Sequence, residues 1–225
     1  TATRKINFQS LQKYLTRFAL KIPFQSPTVM HVDTLAFLGN MRAGPYAYTE
    51  SEIVNFHRRL TSEAYNDLKN WTVLFKEYPT QRFQYSPGIR EYAGTVKNMR
   101  CMSQEDFRYM RTAADVLVTT MPSSTLGWCV GTNIPLIWLE SPITPILNDE
   151  ALDDFKNSFF VIDMNENDWP LKLKTLLNWG LMDIRDKWME KSKERARTIE
   201  KYIFGPNISW GKACADTIMT KLKPT

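Results

Sequence analysis

Short apolar runs alternate with longer stretches of helical periodicity along most of this chain. Residues 5–20 carry Ile6, Leu11, Tyr14, Leu15 and Phe18 at roughly helical spacing, and Pro23 and Pro27 end the segment. Residues 28–33 read as a short buried strand. After a glycine-containing loop over 38–48, Thr49 and Glu52 form a capping box that opens a helix. That helix is expected to run to about residue 70, with Ile53, Phe56, Leu60, Ala64 and Leu68 on one face. Residues 71–75 are a second strand, broken by Pro79.

The alternation then repeats. A short strand covers 97–101, and Ser103 with Asp106 opens a helix to about residue 113. A β-branched strand of the fully buried type covers 115–119. A tight turn over 121–125 leads into a short helix over 126–131. A fifth strand spans 134–139, with Pro135 near its start, where a missing donor is tolerated. A helix over 149–155 and a sixth strand over 159–162 follow. Three helical stretches, about 167–178, 184–202 and 208–222, close the chain. Six short apolar strands alternating with helices predict an α/β fold: a parallel sheet of about six strands, covered by helices on both faces and followed by C-terminal helices. The boundary falls at 21–27. Residues 1–27 read as an N-terminal helical arm or linker, and 28–225 as one domain.

Composition narrows the classes. The 225 residues, 43% hydrophobic and 24% charged, are those of an ordinary globular protein with room for one substantial core. No run approaches the ~20 apolar residues of a membrane span. Twenty-nine basic residues oppose 24 acidic ones, for a net charge of +5. The charges are interleaved, whereas a nucleic-acid binder concentrates its basic residues in a stripe. The excess suits an anionic ligand or an anionic membrane surface. The three cysteines, Cys101, Cys129 and Cys214, are far apart and have no zinc spacing, which fits a reducing cytoplasm. The chain opens on Thr1 and is expected to be a piece of a longer polypeptide.

In an open parallel α/β sheet, ligands bind outside the carboxyl ends of the strands, and that rule selects the loops to inspect. The loop after the fourth strand reads Thr119-Thr120-Met121-Pro122-Ser123-Ser124-Thr125-Leu126-Gly127. It sets three consecutive hydroxyl residues at a helix start, where unpaired amides and the positive end of the helix dipole favour phosphate. The loop after the second strand, Lys76-Glu77-Tyr78-Pro79-Thr80-Gln81-Arg82, offers cations for a phosphate and a ring-proline wall for a base or sugar. The loop over 39–45 has flexible glycines and Arg42 but lacks the Lys-Ser/Thr of an ATP-type phosphate loop. His31, inside a strand, and His57, on a helix, read as structural, and no nucleophile-histidine set can be built from them. Asp33, Glu77, Glu140 and Asp163 fall near strand ends. The charged run 187–201 reads as a solvated helix face, and Trp179, Trp188 and Trp210 as packing anchors.

A strand ending in Asp115-Val116-Leu117-Val118-Thr119, then Ser123-Ser124-Thr125-Leu126-Gly127, then Ile134-Pro135-Leu136-Ile137, resembles the C-terminal, donor-binding half of GT-B-fold glycosyltransferases. The similarity is to bacterial surface-polysaccharide enzymes, including those using CMP-activated Kdo or sialic acid, and to the CDP-glycerol transferases of teichoic acid synthesis. It covers about residues 28–165. In that family a Ser-Ser/Thr motif binds donor phosphate and a His-Pro dipeptide contacts the nucleotide; here Tyr78-Pro79 stands in place of His-Pro. The resemblance implies a Rossmann-like domain and a transfer of sugar from a nucleotide-activated donor to a growing cell-surface glycan, as in lipopolysaccharide synthesis. It implies Ser123, Ser124 and Thr125 on the phosphate, Lys76, Tyr78 and Pro79 beside the nucleotide, and Arg42 near the phosphate or sugar. The partners implied are a nucleotide-sugar donor, a glycan or lipid-linked acceptor, and an N-terminal domain or partner subunit carrying the catalytic base. No metal or other cofactor is implied. The location implied is the cytoplasm, at the inner face of a membrane. A glycerol-phosphate transferase, a nucleotide-sugar epimerase or a non-catalytic interaction module would use the same scaffold.

Overall fold

The structure, a computed structural model, describes residues 8–32, 50–68, 70–77, 89–103, 105–120, 124–141, 147–204 and 218–219. Six strands form one sheet: β1 (Thr28–Val32), β2 (Thr72–Lys76), β3 (Met99–Met102), β4 (Val116–Thr119), β5 (Leu136–Glu140) and β6 (Phe160–Asp163). Their order is β3-β2-β1-β4-β5-β6, and every pairing is parallel. The expected α/β architecture is therefore present. Each strand lies within about two residues of its expected place, because a strand buried on both faces writes itself as an unbroken apolar run. Val29, Met30, Val73, Leu74, Val116, Leu117, Leu136 and Ile137 are all buried.

The helices are α1 (Phe8–Ala19), α2 (Glu50–Arg59), α3 (Ile89–Gly94), α4 (Phe107–Met110), α5 (Ser124–Val130), α6 (Asp149–Ser158), α7 (Trp169–Asn178), α8 (Leu181–Glu190) and α9 (Ser192–Ile199). α2 continues as a π-turn, Leu60–Tyr65, which packs against α7. The expected apolar face of this helix, from Ile53 to Leu68, is buried.

Several expected boundaries move, each for a local reason. The α2 segment ends at Tyr65, short of residue 70, because Asp67 and Asn70 take left-handed backbone conformations (φ 60° and 74°) that a helix cannot contain. Thr49 lies outside the described residues. Asp106, not Ser103, caps α4: its carboxylate accepts the backbone N–H of Arg108. α5 begins at Ser124, two residues before its expected start. The single helix expected over 184–202 is two, α8 and α9, joined at Lys191. Of the helix expected over 208–222, only 218–219 lie among the described residues and are helical.

The run 187–201 also departs from a uniformly solvated face. Arg195 and Thr198 are buried, Arg195 lies over the Trp188 ring at 3.6 Å, and the Thr198 and Ser158 hydroxyls meet at 2.7 Å. Trp188 is a buried anchor as expected, whereas Trp179 is substantially exposed; Trp210 lies outside the described residues. His31 and His57 are both fully buried within the core. His31 Nδ1 is 2.9 Å from the Tyr65 hydroxyl and its ring stacks on Phe75.

α1 packs on the 3-10 turn Arg111–Ala113 with its polar stripe inward. Arg17, 6% exposed, donates to the carbonyls of Phe24 and Ser26, to the Thr28 hydroxyl and to Asp115. Lys13 joins it on Asp115. Leu11, Tyr14, Leu15 and Phe18 point outward instead, and Phe18 is 69% exposed. No helix of the described residues is long and apolar enough to cross a membrane.

Candidate functional site

The sheet order reverses between β1 and β4: β2 and β3 extend to one side, β5 and β6 to the other. At such a reversal the loops leaving the two central strands diverge and open a crevice at their carboxyl ends. The last paired residues there are Val32 of β1, with Lys76 on one side and Thr119 on the other. Val32, Lys76 and Thr119 therefore share one register position at the carboxyl edge.

Lys76 is 3% exposed, and its ammonium donates to the Glu77 carbonyl at 2.6 Å. Burial pulls its pKa below the ordinary lysine value, and the nearby carboxylates of Glu105, Glu77 and Asp106 oppose that shift. Glu77 is also buried. Arg90, on α3, forks onto its carboxylate with contacts of 2.7 and 2.8 Å, and those hydrogen bonds raise the pKa of Arg90. Thr119 is fully buried, and its hydroxyl has no hydrogen-bond partner among the described residues. On β5, burial raises the pKa of Glu140; Lys156, 3.8 Å away, opposes the shift and Asp163 adds to it.

Of the residues read as candidates, Lys76 stands at the expected strand end. Ser124 opens α5 and Thr125 is half-buried in its first turn. The structure thus puts the start of α5 just beyond the end of β4, on the same edge as Lys76. Arg42, Tyr78, Pro79 and Ser123 lie outside the described residues, as do the Ser124 side chain and Asp33. Asp163 accepts from the Asn165 backbone and side-chain amides at 2.8 and 2.9 Å, which makes it a turn residue. The Glu77–Arg90 pair was not read from the sequence. The partners are 13 residues apart in sequence, and no periodicity links them.

No protein-family model matches the chain, and no curated protein matches it. Solved structures do. One is WaaG, a glycosyltransferase involved in lipopolysaccharide biosynthesis, with 16% identity and a TM-score of 0.52; the match covers 92% of this chain and 50% of that one. Another is the wall teichoic acid polymerase TagF, with 14% identity and a TM-score of 0.54, covering 96% of this chain and 49% of that one. The chain spans about half the length of these structures. The resemblance to one half of a GT-B glycosyltransferase holds at the level of fold: a Rossmann-like, all-parallel six-stranded unit with closing helices.

Proposed function

We propose that this chain is the donor-binding half of a glycosyltransferase that moves a sugar from a nucleotide-activated donor to a growing surface glycan. The observation that carries the reading is the reversal of strand order between β1 and β4. The loops leaving these two strands are the ones that contain Arg42 and the Ser123-Ser124-Thr125 run, and the neighbouring strand ends in the buried amine of Lys76. The likeness of fold to WaaG and TagF supports it.

In this reading the first amides of α5 and the hydroxyls of Ser123, Ser124 and Thr125 hold the donor phosphates. Lys76, Tyr78 and Pro79 border the nucleotide, and Arg42 reaches the phosphate or sugar. When the bond between sugar and donor oxygen breaks, negative charge grows on the leaving phosphate, and donors already fixed around it lower the barrier. Side chains and amides carry that charge, so no metal ion is called for. The acceptor is a glycan or a lipid-linked glycan at the inner face of a membrane, and the base that deprotonates it belongs to a second domain or subunit.

Calorimetric titration with CMP, CDP, UDP and GDP tests the site. One of them is expected to bind, and replacing Ser123 and Ser124 together with Ala is expected to weaken it by about tenfold, the loss of roughly 1.4 kcal/mol. Unchanged affinity overturns the assignment. A second reading, transfer of glycerol phosphate from a CDP-activated donor, is supported by the likeness to a wall teichoic acid polymerase. Analysis of the reaction product separates the two.

A further inference from the structure

A cavity of about 560 Å³ opens where the chain enters β4 and β5. Ala114 and Asp115 precede β4 and Ile134 and Pro135 precede β5, so the cavity lies at the amino-terminal end of the sheet, opposite the loops assigned to the donor. Its volume is that of a small-molecule site. Four cations line it, Lys13, Arg108, Arg111 and Arg185, with Asp115 the one carboxylate among the lining residues.

That carboxylate is already matched. Asp115 receives Lys13, Arg17 at 3.2 Å and Arg185 at 3.0 Å, and also accepts the Thr28 backbone N–H at 3.0 Å. Arg108 is paired outside the cavity wall with Asp106. Among the residues lining the cavity the positive charge therefore exceeds the negative. Arg111 uses Nη1 on the Trp128 carbonyl at 2.7 Å and lies 5.1 Å from the Trp128 ring centroid, a contact that leaves its charge in place.

We propose that this cavity is a second anion site and that it binds a phosphate ester. A phosphate offers several strong acceptor oxygens on one centre, and guanidinium forks suit that geometry better than ammonium groups do. Arg111 and Arg185 meet the charge. The apolar surface of Ile134 and Met189 borders the organic part. The ester belongs either to a soluble polyol or sugar phosphate or to the headgroup of an anionic lipid.

Calorimetry on the full chain with glycerol 3-phosphate addresses the soluble source. Sedimentation with phosphatidylglycerol vesicles, against phosphatidylcholine vesicles, addresses the headgroup. Arg111→Gln is the informative variant, because it leaves the Asp115 pairs intact. It is expected to lower affinity for whichever probe binds by about tenfold, in the range of a lost hydrogen bond to a charged group. Arg185→Gln removes a second lining cation; it is expected to weaken binding as well, and it serves if Arg111→Gln does not fold. Replacing Ser123 and Ser124 with Ala should leave this binding unchanged, so the result is separable from the donor-site reading. Equal affinity in the folded Arg111→Gln and Arg185→Gln chains, a loss confined to the serine variant, or no binding to either probe overturns the proposal.

Discussion

Asp115 is one carboxylate that holds three cations and a backbone amide, at the point where α1, β1, β4 and α8 meet. Asp115→Ala leaves the buried guanidinium of Arg17 without its carboxylate and is expected to cost roughly 3–5 kcal/mol, read from urea denaturation. The sequence marked Asp115 only as the start of a strand. Its partner Arg17 lies 98 positions away on α1, and helical spacing gives no sign that Arg17 turns inward. Lys76 was legible because a lysine directly after a buried strand is conspicuous. Its lowered pKa fixes a sign. Between the native value and the ordinary lysine value of 10.5, the unfolded chain binds more protons than the folded one, so stability should rise with pH across that window. Lys76→Met should flatten the rise, as measured by melts at stepped alkaline pH. A nucleotide phosphate bound beside Lys76 should move its pKa back up, which NMR of the labelled lysine side chain would report.

Elements were more legible than their ends. Buried strands announce themselves by composition, and amphipathic helices by period. Breaks that need no proline or glycine do not: nothing in the pattern foretold the end of α8 at Lys191, or the left-handed Asp67 and Asn70 beyond α2. Gly180, between α7 and α8, has φ of 90°, a backbone conformation that disfavours a Cβ, although the space around it is open. Gly180→Ala is therefore expected to destabilise by about 1–2 kcal/mol through backbone strain alone, seen as a lowered Tm with an otherwise unchanged fold. The start of α5 is the element on which the proposed donor site rests. The hydroxyl run located it to within two residues, because small polar side chains compete with the backbone in strands and favour helix starts.

For the whole molecule, the alternation of strands and helices gave the class of fold, while the order of strands came from the structure. That order sets the reversal between β1 and β4, the point at which open parallel sheets take their ligands. A ligand that binds there only in the native state should stabilise the chain by about 2.7 kcal/mol at a hundred times its Kd, raising Tm by roughly 5–10 °C in a thermal-shift measurement. The same order also governs how the chain is made. β1 sits between β2 and β4, and Asp115, at the threshold of β4, follows Thr28 by 87 residues. At ~5–20 residues per second of synthesis, a nascent chain waits on the order of 4–17 s between the two. Throughout that interval the newborn β1 presents a bare row of amides and carbonyls on the side that β4 will later occupy, a template open to any other extended polypeptide leaving the ribosome.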